Sequence, residues 1–190
     1  FDFPTSAKKV IYFLDNSKIY SEQGISFDGA ISINTKVLED VIGLLGPIDL
    51  PEYGAVIDSK NFLSFVQKEV ESGEDKKVNQ PKKILQVLTP KLLEKLSDLP
   101  SAGKQELVKL LEYHAGHKNI QAYFNDSDLE LYGKSVGVAG EVFNPSSRTV
   151  SEYLAVVNTN IAGGKSDAFI RQNIDFKSAI GEDGEITSTV

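Results

Sequence analysis

Cysteine is absent from the 190-residue chain, which removes disulfides, thiol nucleophiles and thiolate metal sites from consideration. The compartment stays open on that criterion, because a cysteine-free chain suits reducing and oxidising surroundings alike. Methionine is absent as well, which predicts a processed or excised piece of a longer protein, truncated at both ends. The longest apolar runs, such as "VIGLLGPI" at 41–48, fall far short of the roughly 20 residues that cross a bilayer. No signal segment is visible, so a membrane anchor, if one exists, lies outside these residues. Basic charge is the scarcer sign: 20 Lys and Arg stand against 27 Asp and Glu, for a net charge of -7. A phosphate backbone needs a concentrated basic surface, so nucleic acid is excluded as a partner. The pairs Lys8-Lys9, Lys76-Lys77 and Lys82-Lys83 are interspersed with acids and read as solvated faces.

What is present is an ordinary globular composition, 41% hydrophobic and 25% charged, in a chain long enough for one sizeable core. The opening "FDFPTSAKKVIYFL" predicts a helix capped by Thr5 or Ser6. "ISFDGAISIN" at 25–34 alternates as a strand does, with Asp28 inside it, and Asn34 or Thr35 caps the stripe Val37, Leu38, Val41, Ile42, Leu44 and Leu45. Gly46-Pro47 ends that helix. A short "IDLP" edge, a turn at Gly54 and the strand "AVI" follow, then a helix from about Ser59 to Val70.

Residues 71–80, "ESGEDKKVNQ", predict an exposed, mobile loop. Beyond it a helical middle carries Ile84, Leu85, Val87 and Leu88, with a kink or break expected at Thr89-Pro90, and then Leu107, Val108, Leu110 and Leu111. "NIQAYF" at 119–124 predicts a strand, and Ser127 with Glu130 has capping-box spacing. "GVAGEVF" at 137–143 fits a strand or an extended loop. "SEYLAVVNTN" at 151–160 predicts a core strand, and "GEDGE" before "ITSTV" predicts a hairpin. The whole reads as an α/β (or α+β) fold, a layered mixed sheet with packed helices and a helical middle segment, in a single domain over 1–190.

The stretch "NTNIAGGKSDAFI" at 158–170 ends like a phosphate loop, with Gly164-Lys165-Ser166, but Thr159 stands where the first glycine belongs. A glycine turn leading out of a strand is the plainer reading, and an anion site using Lys165 is the sharper one. Asn158, Asn160, Lys165, Ser166 and Asp167 could equally lock their own loop. Arg148 and Arg171, the only arginines, could each clamp a phosphate or carboxylate. Asp28 is the acid of interest, since a charge within an apolar strand needs a partner. These eight residues form the candidate anion or ligand site. His114 and His117 could begin a metal site, but four ligands are usual and none is assigned; His114 reads as a boundary residue and His117 as a surface one. No Gly-x-Ser-x-Gly elbow occurs, no catalytic residue is assigned and no cofactor is expected.

The blocks "DFPTSAKK", "FDGAISINTKVLEDVIGLLGPIDLPEYG", "NFLSFVQKEVE", "PKKILQVLTPKLLEKL", "HKNIQAYFNDSDLE", "GVAGEV" and "YLAVVNTNIAGGKSD" occur in this order. Together they resemble the uncharacterised bacterial DUF4012 domain family. The resemblance implies an extracytoplasmic domain at the cell surface or envelope, held by an upstream transmembrane helix, often in a polysaccharide context. The block "DGAISINTKVLEDVIGLLGPIDLP" is similar, more distantly, to LytR-CpsA-Psr envelope phosphotransferases, which hold a lipid pyrophosphate with arginines and aspartates. Only Asp28 and the Gly46-Pro47 turn carry over, and the arginine-rich segment of those enzymes has no counterpart. Two expectations result: a non-enzymatic module binding an envelope glycan or envelope protein, or a glycopolymer phosphotransferase.

Overall fold

The structure, a computed structural model, describes residues 2–77, 79–80, 82–143, 154–156 and 170–190. They fall in two compact units, Phe1–Asn144 and Pro145–Val190.

The first unit opens with α1 (Phe3–Asp15). Its cap is Asp2, ahead of the Thr5 or Ser6 expected: the Asp2 carboxylate accepts from the Thr5 N–H at 3.0 Å, and Pro4 suits the first turn that follows. The same carboxylate accepts from Val142 N at 3.2 Å, tying the chain start to the segment after residue 137. The Thr5 hydroxyl first, and then these two N–H groups, hold the Asp2 carboxyl below the usual carboxylate range. A single turn, α2 (Lys18–Ser21), leads to β1 (Gly29–Ile33). β1 pairs antiparallel with β4 (Ile120–Phe124), Gly29 opposite Phe124 and Ile33 opposite Ile120. A Cβ at Gly29 would run into the Tyr123 carbonyl, so this pair requires a glycine there. Phe3, Ala7 and Ile11 of α1 bury themselves against Tyr123.

A second core lies in the same unit. Asn34 caps α3 (Thr35–Leu45), its side chain accepting from Lys36 N at 3.1 Å, and Gly46 ends it at φ 78°. β2 (Ile48–Leu50) and β3 (Ala55–Ile57) form an antiparallel hairpin around the 3₁₀ turn Pro51–Tyr53. α4 runs over Phe62–Ser72. It starts three residues later than the spacing predicts, because the Asp58 carboxylate accepts from Lys60 N and Asn61 N and holds residues 58–61 as a turn. α5 (Glu74–Lys77), α6 (Lys83–Ser97), α7 (Ser101–Gly116) and α8 (Ser127–Ser135) follow. Ile42, Ile48, Leu50, Ile57, Phe62, Ile84 and Leu88 pack into one buried cluster.

α5 forms inside the polar stretch expected as a loop. α6 runs on through Pro90, so of the kink or break expected there no break occurs. The proline denies the Gln86 carbonyl its N–H partner, a local cost that the burial of Ile84 and Leu88 on the same helix offsets. On α7 Gly103, Leu107, Leu110, His114 and Ala115 turn inward; Val108 and Leu111 are exposed. Asp126 caps α8 in place of Ser127, and Glu130 reaches back to the Phe124 N–H at 3.0 Å. Residues 137–143 form an extended loop, Val138 O accepting from Ala122 N at 2.8 Å.

In the second unit β5 (Lys177–Ile180) and β6 (Ile186–Thr189) make the expected hairpin, closed by Gly181 N donating to Glu185 O at 2.8 Å. Of the expected strand at 151–160, residues 154–156 are exposed and irregular, and the remainder lies outside the described residues. The mixed helix-and-strand class read from the sequence is what forms. Among the described residues its strands pair antiparallel, two by two.

Replacing Ile57, fully buried at the end of β3 in the cluster that Phe62 and Ile84 share, by alanine is expected to cost about 3 kcal/mol of stability through lost burial and a residual cavity. The urea midpoint of unfolding measures it.

Candidate functional site

The hairpin turn that follows β2 carries a tyrosine to the edge of the second core. Pro51 presets the turn, Gly54 closes it in the left-handed region at φ 56°, and the Gly54 N–H donates to Pro51 O at 3.1 Å. Tyr53 is thereby packed against the core cluster with its hydroxyl pointing out of it. The opposite wall comes from the junction of α4 and α5. Gly73 donates to Glu69 O at 3.0 Å, and any Cβ at this position would strike the Glu69 backbone. That tight junction lets α5 fold back and set Asp75 over Tyr53.

Asp75 is buried, yet its carboxylate is partnered on both sides. Tyr53 donates its hydroxyl to Oδ2, and the Lys83 ammonium stands 3.6 Å from Oδ1. Burial first, then the hydrogen bond to Asp75, then the charges of Asp75, Glu69 and Glu52 push the Tyr53 hydroxyl far above its ordinary value of 10.0. Glu52, on the rim, lies below the usual carboxylate range. A hydrogen bond from its own N–H is the larger cause and Lys91, at 3.4 Å, the lesser. The cleft between these walls encloses about 370 Å³, within the range of small-ligand sites. Four carboxylates (Glu52, Glu69, Glu74 and Asp75) face one ammonium (Lys83) across it, with Val87 and the Tyr53 ring as its apolar surface. Such a lining attracts cations and hydroxyl donors and repels anions.

A second buried polar residue lies between α3 and α7. His114 has no exposed surface. Its Nε2 is 3.2 Å from Oδ2 of Asp40, within ion-pair distance but off the line of a good hydrogen bond. The Asn119 amide donates to Nδ1 at 3.2 Å, which leaves the ring proton on Nε2, facing the carboxylate. Asp40 also accepts from Lys36 Nζ at 2.8 Å, and Asn34 Nδ2 donates to Asn119 Oδ1 at 3.3 Å. The imidazole is therefore a core residue in a polar ring of five side chains and not the boundary residue expected. His117 is exposed, as expected, with Nδ1–H donating to Tyr113 O at 2.7 Å. Among the described residues no group of three or more His, Asp or Glu is placed to hold a metal ion.

Of the sequence-derived candidates, Asp28 and Arg171 are described. Asp28 precedes β1 and is exposed, with its carbonyl accepting from Asn125 N at 2.7 Å, so it is not the charge inside a strand that was expected. Arg171 is exposed in the irregular stretch before β5. Arg148, Asn158, Asn160, Lys165, Ser166 and Asp167 lie outside the described residues. Tyr53, Asp75 and Lys83 escaped sequence reasoning. The Pro-Glu-Tyr-Gly turn was a local signal for the tyrosine, but Asp75 and Lys83 sit among so many charges that nothing nearby distinguishes them.

Tyr53→Phe is expected to cost about 2 kcal/mol, the worth of a part-buried hydrogen bond to a charged acceptor. Because the folded state raises the Tyr53 pKa, the folded protein holds this proton after the unfolded chain has released it. Stability should therefore fall as the pH rises above 10.0, and fall less steeply in the phenylalanine variant. Urea unfolding of both proteins across that window gives the comparison.

No curated protein and no solved structure matches this chain. One family model does, over a span that contains α1, both strands of the hairpin and most of α4, including Glu52, Tyr53 and Glu69 of the cleft, and that stops before Asp75. Residues 1–70 match the family described as "Protein of unknown function (DUF4012)".

Proposed function

We propose that this chain is a non-enzymatic module, working outside the cytoplasmic membrane, that binds a component of the bacterial cell envelope in the cleft between Tyr53 and Asp75. The ligand class is a glycan, free or carried on an envelope protein, presenting hydroxyl or amine donors. The observation that carries this reading is the lining itself: four carboxylates and one lysine around about 370 Å³, with Asp75 already held by Tyr53 and Lys83. Carboxylate oxygens accept from paired sugar hydroxyls or an amino-sugar ammonium, and a tyrosine ring offers a face for the apolar side of a pyranose. Because Asp75 is fixed before any ligand arrives, little ordering entropy remains for binding to offset.

A glycopolymer phosphotransferase of the LytR-CpsA-Psr kind would need cations around a pyrophosphate. A pyrophosphoryl group would meet four carboxylates in this cleft. The cleft therefore supports the binding module over the transferase.

Titration calorimetry with peptidoglycan-derived amino-sugar oligosaccharides tests the reading. Binding should weaken about tenfold or more in Glu69→Gln and in Asp75→Asn, the loss expected when a charge-assisted hydrogen bond is removed. Inorganic pyrophosphate should not compete. Equal affinity in both variants, no binding of any such glycan, or preferential pyrophosphate binding would each remove the proposal.

A further inference from the structure

The outward side of α1 carries some of the large apolar side chains that this protein leaves exposed. Tyr12 and Phe13 are 61% and 63% exposed, and their rings meet edge to face with centroids 5.7 Å apart. Two large rings so exposed on one helix face are costly in water and mark an interaction surface. Lys9 stands one turn earlier on the same side and Asn16 one turn later, both exposed, because residues three and four apart share a helix face. The acids of this region point elsewhere: Asp2 caps the helix, and Asp15 accepts from Phe27 N at 3.1 Å. The next turn adds Ile19, 69% exposed, beside Lys18, with Glu22 exposed at its end, so the acid-free face is that of α1 alone. In a chain with seven more acids than bases, a helix face bearing a lysine, two aromatic rings and no carboxylate is a distinct chemical environment.

We propose that this face of α1 lies on a lipid bilayer that carries anionic headgroups. The pattern suits that occupant. Aromatic rings with polar or polarisable edges settle at the headgroup level, while a lysine extends its stem along the apolar surface and places its ammonium among phosphates. The net charge of -7 does not prevent this at physiological salt. Charges more than about 8 Å from the bilayer are largely screened, so the charges at the contact itself weigh most. The Lys8 ammonium, 5.3 Å from the centroid of the Tyr123 ring, is folded toward the sheet and stands apart from this face. The proposal stands apart from glycan binding, since it uses neither Tyr53 nor Asp75.

The 190-residue chain is sedimented with vesicles of phosphatidylcholine alone and of phosphatidylcholine mixed with phosphatidylglycerol, at physiological salt. The mixed vesicles should bind it. Tyr12→Ser with Phe13→Ser should weaken that binding about tenfold or more, the effect of withdrawing two rings from the interface. Lys9→Glu should weaken it several-fold on mixed vesicles and leave any binding to phosphatidylcholine unchanged. All three positions are exposed, and an unchanged circular dichroism spectrum establishes that the variants remain folded. The proposal is overturned if the parent binds neither vesicle, if the double variant binds as well as the parent, or if sedimentation equilibrium shows the same face pairing two copies of the chain.

Discussion

A carboxylate that leaves water must find donors, and the second half of the first unit is arranged around one that does. Asp75 belongs to a helix of four residues, too short to hold itself in water. What keeps it in place is a phenol and an ammonium from outside that helix, Tyr53 on the hairpin turn and Lys83 at the start of α6. Tyr53 in turn is set by Ile48, Leu50 and Ile57, which are shielded from solvent on the strands flanking its turn. The chain of dependence runs from apolar burial to hairpin, from hairpin to tyrosine, and from tyrosine to the wall of the cleft.

The same rule governs α3 and α7. His114 would be costly between two helices without partners, and it sits in a ring that closes through Asp40, Lys36, Asn34 and Asn119. Asn34 also caps α3, so one side chain both starts the helix and orients the group that packs α7 against it. The polar ring thus joins α7 to α3 beside their apolar contacts.

The unit separates its charges. Carboxylates gather at the cleft beside Tyr53, while α1 turns a lysine and two aromatic rings outward without an acid. Under the two proposals these surfaces take different partners, one offering hydrogen-bond donors and the other phosphate and hydrocarbon. The first 70 residues, which match the DUF4012 family model, contain the whole α1 face but only part of the cleft.

Local chemistry was legible wherever a residue acts on its neighbours in the chain. Asn34 and Gly46 delimit α3, Gly54 turns the hairpin, and "GEDGE" joins β5 to β6, because caps and turns are satisfied within a few residues. The same logic erred by one to four residues where an aspartate stood upstream of the hydroxyl residue chosen, as with Asp2 before Thr5 or Ser6 and Asp126 before Ser127. Of the kink or break expected at Pro90 the break does not occur, because a proline's local cost says nothing about the burial that retains it in a helix. The cleft was not legible at all. Asp75 is one of 27 acids, and only its meeting with a tyrosine 22 positions earlier gives it a role. By itself the sequence determined the longer helices, the hairpins and the acidic balance, all products of short-range geometry and composition. Tertiary structure decided which acid is buried, which histidine is core and which aromatic rings stay in water, because burial is shared between segments that no local pattern connects.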